Sequence, residues 1–136
     1  MEHSNGVKGL FVYQKSYKLA LDIFIVSKSF PKEEIFSLTS QIRKSSRSVC
    51  ANLAEGYSKR NYAKHFISKL AISDGELCET LTWLDFARDC EYLNSVDHQK
   101  LYDRYIEVGK MLGKMISVPE KFAQRKKNFT TKMTDN

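Results

Sequence analysis

Arg43, Lys44 and Arg47 lie within little more than one helical turn, with small Ser40, Ala51 and Ala54 around them. Guanidinium and ammonium groups on one helix face pair with phosphates or carboxylates and break no bonds themselves. Lys59, Arg60 and Lys64 follow, so residues 40–70 hold seven Lys/Arg against Glu55 alone. Residues 71–107 reverse the balance with nine acids against three bases. The stretch from Pro119 is basic again and includes Arg125, Lys126 and Lys127. Such clustering suits a polyanion, because bases that neutralise phosphates release condensed counterions. The plainer alternative is a set of solvated helix faces whose ion pairs are worth roughly tenths of a kcal/mol each.

Other chemistries find little support in the chain. A di-iron bundle site requires Glu-x-x-His on two helices, and neither His65 nor His98 has an acid three residues before it. There is no phosphate-binding glycine loop and no nucleophile-elbow serine. Cys50, Cys78 and Cys90 are odd in number and lack metal-ligand spacing, so they read as reduced thiols packed as small hydrophobes. The expectation is no catalytic residue, no metal and no cofactor. No stretch approaches the ~20 apolar residues of a membrane span, and the N-terminus lacks the apolar segment of a secretory signal. A cytoplasmic protein that does not engage membranes is expected.

Four helices must position the charged residues. The first is expected from about Phe11 to Lys28, with Tyr13, Tyr17, Ala20, Leu21, Phe24 and Ile25 as its apolar stripe. Phe30-Pro31 ends it, and Glu33 and Glu34 suit the start of the second. That helix carries Ile35, Leu38, Ile42, Val49 and Leu53 on one face and closes at Gly56, read as a left-handed terminating residue. Ser58 or Asn61 is expected to cap the third helix, which carries Phe66, Leu70, Leu77, Leu81 and Leu84 and ends near Cys90. Asn94 or Ser95 caps the fourth, with Leu101, Tyr105, Val108, Leu112 and Met115 inward and Pro119 beyond its end. Joined by short turns, these amphipathic helices form an all-α, antiparallel up-down-up-down four-helix bundle spanning residues 11–118. Residues 1–10 read as a flexible arm and 119–136 as a basic, flexible tail.

Alternating chain direction turns that order into geometry. The turn between helices two and three belongs at the same end as the N-terminus and the end of helix four. Lys59, Arg60 and Lys64 therefore gather with Lys8, Lys15, Lys110, Lys114 and the basic tail, opposite an acidic pole of Glu33, Glu34, Asp89, Glu91 and Asp97. Aromatic residues are not interleaved with the basic run as stacking platforms. Phosphate contact with little sequence preference is the expected mode.

Arg43 and Arg47 share a face with small residues, which also suits pairing with acids of a neighbouring subunit's third helix. Glu55 either completes such a contact with Arg43 or Arg47 of an adjacent subunit, or acts locally by capping the start of helix three or pairing with Lys59. Asn52 lies on a mostly buried helix and is expected to hydrogen-bond backbone at a turn or interface, since an unpaired buried amide costs about 1–3 kcal/mol. Trp83 is expected in the core or an interface.

The second helix carries a longer pattern. Leu38, Thr39, Gln41, Ile42, Arg43, Lys44, Ser48, Val49, Asn52, Leu53, Ala54, Glu55, Gly56 and Tyr57 follow L-T-x-Q-[IL]-R-[RK]-x-x-x-S-[IV]-x-x-N-[IL]-A-E-G-[YF]. In this the chain resembles the four-helix-bundle proteins encoded by intervening sequences of bacterial 23S ribosomal RNA genes. The likeness runs from about Phe11 to Leu112. Ile72 stands where many relatives have glycine, and Cys50 where proline is common. The resemblance implies an antiparallel bundle that assembles as a homopentameric ring, without known catalytic activity. It also implies kinship with an accessory subunit of reverse transcriptases in diversity-generating retroelements. Two functions stay open. One is a non-catalytic homo-oligomer that binds nucleic acid, RNA before DNA, through Arg43, Lys44, Arg47, Lys59, Arg60, Lys64 and the tail bases. The other is an adaptor for a polymerase-type protein, in which Arg43, Arg47, Asn52 and Glu55 serve subunit contacts.

Overall fold

Side chains that alternate between apolar and charged at helical spacing leave the chain one way to bury its stripes, as helices packed on helices. The computed structural model describes residues 6–124, and over them the chain forms four α-helices with no strand. These are α1 (Phe11–Ser27), α2 (Leu38–Ser58), α3 (Ala63–Asp89) and α4 (Ser95–Ser117), with 3-10 turns at Gly6–Gly9, Lys32–Glu34 and Pro119–Lys121. Each helix packs on its two sequence neighbours and α1 also packs on α4, which makes a square; α2 and α3 share the most extensive contact. The arrangement is the expected four-helix bundle. Among the described residues no helix is long and apolar enough to cross a membrane.

The second helix begins later than its composition predicts. Pro31 is followed by the 3-10 turn, and α2 starts only at Leu38. Ile35 therefore precedes the helix and is 45% exposed, whereas Leu38, Ile42, Val49 and Leu53 are buried as expected. Glu34 ties this entry to the far turn. Its Oε1 accepts from the Leu38 backbone N–H (3.3 Å) and its Oε2 from the Tyr92 hydroxyl (2.8 Å). The Phe30 and Tyr92 rings lie 5.8 Å apart beside it.

The stripe expected for α1 is corrected by one step around the helix. The buried residues are Val12, Ser16, Leu19, Ile23 and Ser27, while Tyr17, Leu21 and Ile25 are exposed and Tyr13, Ala20 and Phe24 half-buried. Two serines disguised the true stripe. Ser16 Oγ donates to the Val12 carbonyl (2.7 Å) and Ser27 Oγ to that of Phe24 (3.0 Å), so each hydroxyl enters the core already satisfied.

Small residues likewise close the α2/α3 seam. Ser73 Oγ donates to the Val49 carbonyl (2.7 Å), and Thr80 Oγ1 lies 2.7 Å from Ser45 Oγ. Gly56 is not the left-handed terminator expected; it lies inside α2, where a Cβ would come 2.6 Å from Leu70 Cδ1 and 3.0 Å from Lys69 Cβ. Its role is close helix approach. Ile72 is 45% exposed and takes no part in the seam, where Ser73 supplies the contact. The residue that closes α3 in a left-handed conformation is Glu91 (φ 65°), after which the N–H groups of Tyr92 and Leu93 donate to the Ala87 carbonyl.

Caps divide similarly. Asn94 caps α4, accepting from the Asp97 N–H (2.8 Å). Neither Ser58 nor Asn61 caps α3, whose N-cap Tyr62 makes no side-chain cap bond. Asn61 is drawn instead to the chain beyond α4, its Oδ1 accepting from the Gln124 N–H (2.6 Å).

Two tests follow from these contacts. Gly56→Ala gains up to about 1 kcal/mol in helix propensity but overpacks the seam by about 1–3 kcal/mol, so its urea midpoint should fall; an unchanged or higher midpoint would mean the helices can spread. The hydrogen bond to Glu34, with burial and the carboxylate's charge, pushes the Tyr92 phenol from 10.0 up to about 12. The fold thus holds the neutral phenol, a contribution intact below pH 10 and lost as pH rises through about 12. Denaturation across that window should weaken the unaltered protein more than Tyr92→Phe, and parallel curves would remove Tyr92 from the account.

Candidate functional site

Three contacts bring residues 10–11 and 122–124 to the α2–α3 turn. Asn61 holds Gln124, the Phe66 and Phe122 rings lie 6.1 Å apart, and Leu10 and Phe11 meet Met111, Met115 and Phe122 around a cleft of about 230 Å3. Lys59 and Lys114 therefore share an end of the bundle, as the topology requires. Residues 6–10, 55–69 and 107–124 together carry eight bases against three acids. Lys8, Lys59, Lys64, Lys114 and Lys121 are exposed, and among the described residues none forms an ion pair. Lys15 is engaged with Glu107 (3.4 Å) and Lys69 with Glu55 (3.4 Å).

Arg60 is held rather than free. Its guanidinium lies 4.2 Å from the centre of the Tyr57 ring and donates to the Tyr57 carbonyl (3.0 Å). Between Lys59 and Lys64, Tyr62 is 63% exposed, with His65 edge-on at 6.2 Å. The expectation that no aromatic residue interleaves with the bases is thus corrected. Being the uncapped entry residue of α3, Tyr62 is forced outward at the pole. His65 is exposed too, as a residue beside a turn.

The opposite end is milder than a purely acidic pole. Residues 28–36 and 85–100 hold six acids, but Lys28, Lys32, Arg88 and Lys100 stand among them. Arg88 is paired with Asp89 (2.9 Å), which holds that carboxyl below its ordinary value. His98, passed over in the sequence, is buried there with Nε2 2.8 Å from Asp85 Oδ1.

Arg43, Lys44 and Arg47 do not join the basic pole. Lys59 lies about 24 Å further along the helix from Arg43. Arg43 Nε donates to Ser27 Oγ (2.7 Å), and the Arg43 and Arg47 guanidiniums lie 4.7 and 5.7 Å from the centre of the Phe24 ring. The charged positions named from sequence thus fall into two places, the pole and the α1/α2 face, while Arg125, Lys126 and Lys127 lie outside the described residues.

The α1/α2 face also carries a groove of about 500 Å3, lined chiefly by Tyr13, Tyr17, Leu21, Phe24, Cys50 and Ala51. Alanines on α2 cannot fill the space that the α1 aromatics hold open. Ile25 (62%) and Phe36 (91%) leave further apolar surface, Phe36 beside Arg43, Arg47 and Ala51. Its one thiol is inert at neutral pH, because burial pushes Cys50 up to about 12. Cys78 and Cys90 are exposed, not packed inside, which corrects the common reading of all three cysteines. The signal for the groove was legible: α1 is apolar around more than one stripe, and a single core needs only one.

Glu55 pairs within its own chain, with Lys69 rather than Lys59, and Asn52 Nδ2 donates to the Ser48 carbonyl of its own helix (2.9 Å). Trp83 is half-buried and its Nε1 donates to Glu79 Oε2 (3.2 Å). Among the described residues no group of three or more His, Cys, Asp or Glu is arranged to hold a metal ion.

The chain matches a family model and solved structures. A family model described as 23S rRNA-intervening sequence protein matches residues 8–114. A crystal structure from Bacteroides thetaiotaomicron VPI-5482, of a protein with unknown function from the S23 ribosomal protein family, is similar at 30% identity and a TM-score of 0.71, covering 78% of this chain and 95% of that one. No curated protein matches.

Thiol alkylation tests the groove's chemistry. In the folded protein at pH 8, peptide mapping should find iodoacetamide on Cys78 and Cys90, with Cys50 modified only after unfolding. Early labelling of Cys50 would mean that α1 opens from α2.

Proposed function

The chain belongs to the 23S rRNA-intervening sequence protein family, and from that footing we propose a non-catalytic, homo-oligomeric bundle that binds single-stranded RNA at its basic pole. The observation that carries the reading is exposed Tyr62 between Lys59 and Lys64, amid lysines that form no ion pair among the described residues. Lysines there lower the cost of approach to phosphates and release their counterions. A tyrosine held outward offers an unpaired base a face to stack on, which single-stranded RNA presents and a duplex conceals. Lys8, Lys114 and Lys121 extend the phosphate track beyond the α2–α3 turn, and the tail bases Arg125, Lys126 and Lys127 lengthen it.

The homo-oligomer is a pentamer in this reading, as the family resemblance implies, and the protein acts in the cytoplasm. Absence of catalysis is supported by the groove's thiol, which is protonated at neutral pH and so a poor nucleophile. Separation of Arg43 and Arg47 from the pole favours a second reading in one respect. Those two arginines serve subunit or partner contacts, as an adaptor for a polymerase-type protein requires, and the remaining bases serve RNA.

Fluorescence anisotropy with a labelled single-stranded RNA tests the proposal. Binding should weaken with salt, and Lys59→Ala and Lys64→Ala should each reduce the logarithmic slope by about 0.7. Tyr62→Ala should weaken binding roughly 5- to 150-fold, the loss of about 1–3 kcal/mol of stacking. No salt-sensitive binding would overturn the proposal. Equal affinity for duplex, with Tyr62→Ala silent, would overturn its single-strand preference.

A further inference from the structure

Two faces of the square bundle are complementary in sign and both incomplete. On the α1/α2 face lie the apolar groove and three cations, Lys28, Arg43 and Arg47, gathered over the Phe24 ring. Among the described residues none of the three has a carboxylate partner. The acids of α1 and of the second half of α2 point elsewhere: Asp22 toward Arg104 of α4 (2.7 Å) and Glu55 toward Lys69 of α3.

On the α2/α3 face, Ile72, Glu76, Glu79, Trp83 and Phe86 recur at steps of four and three along α3, a continuous stripe beside the buried one. The stripe borders α2, since Trp83 and Phe86 share a cleft with Leu38 and Gln41. Ile72 is 45% and Phe86 53% exposed, and among the described residues neither Glu76 nor Glu79 has a cationic partner. Glu79 has only the Trp83 indole N–H, which holds the ring out along the stripe.

Resting on the homo-oligomeric reading above, we propose that the α1/α2 groove of one subunit receives the Ile72–Phe86 stripe of α3 from a second copy, with Arg43 and Arg47 meeting Glu76 and Glu79. The contact is heterologous, because the donating and receiving faces are different surfaces of the chain. The two faces are adjacent sides of the square, so successive contacts turn in one direction, as a closed ring requires. The same geometry accounts for the small residues on the outer side of α2. Ala51 and Ala54 leave the groove open for the neighbour's apolar side chains. The guanidiniums, stacked on Phe24, are held with their edges free for carboxylates.

Charge reversal tests it with the full chain. Arg47→Glu alone, and Glu76→Arg with Glu79→Arg, should each reduce the assembly to monomers by light scattering while circular dichroism stays helical. Mixed in equal amounts, a chain with Arg43→Glu and Arg47→Glu and a chain with Glu76→Arg and Glu79→Arg should associate in alternating, even-numbered complexes, and one chain carrying all four changes should assemble by itself. If the unaltered protein is monomeric at micromolar concentration, the homo-oligomeric reading itself fails. If it is oligomeric and the reversals leave its mass unchanged, or the mixture stays monomeric, this pairing of faces fails and the homo-oligomer stands.

Discussion

The closeness of α2 and α3 fixes where the outer side chains of the bundle point. Gly56 admits Leu70, Ser73 bonds a carbonyl of α2, and Ser45 meets Thr80. None of these positions tolerates much volume, so the two helices are held at one rotation. That rotation sends Arg43 and Arg47 toward α1, Asn52 and Glu55 toward α3, and Glu76 and Glu79 outward beside Trp83. A seam built from large residues would permit sliding and would blur the separation. Small polar residues with satisfied hydroxyls give one seating, and the electrostatic pattern inherits that precision.

Much of this was legible from composition and period. Leu38, Ile42, Val49 and Leu53 face inward as their spacing demands, Asn94 caps α4, and Lys59 and Lys114 share an end because direction alternates. What could not be read was any choice that depends on a third helix. Tyr13, Tyr17 and Phe24 have the hydrophobicity of core residues, yet Ser16 and Ser27 displaced them because a hydroxyl bonded to its own helix is small and costs little inside. Gly56 looks like a terminator until Leu70 is known to be opposite it. Asn61 looks like a cap, but Gln124 offers it a backbone partner. At the pole, Tyr62 was obscured by its neighbours in sequence, since only the fold decides which tyrosine of the turn stays outside. His98 pairs with Asp85 across two helices, and nothing local to either residue announces it.

In the proposed reading the basic residues of this chain perform two jobs, and geometry separates them. Guanidiniums over Phe24 are rigid, stacked and directional, which suits recognition of a fixed protein surface. Lysines at the pole are exposed and mobile about their stems, which suits a backbone whose phosphates can arrive in many registers. Arginine near an aromatic groove and lysine near a turn are thus a division by side-chain physics, not a uniform positive charge. A net charge of +6 conceals it, because the acids of α3 offset one set in the sum without neutralising either in space.

Among the described residues seven serines and threonines, Ser16, Ser27, Thr39, Ser45, Ser46, Ser73 and Thr80, are buried, while Phe11, Tyr17, Ile25 and Phe36 remain outside. Such a distribution inverts the usual economy of a small domain, in which the greasiest groups are consumed by the interior. The lone subunit is in that sense an unfinished hydrophobic object. A partner that covered this surface would bind the folded chain alone and so link folding to association through mass action.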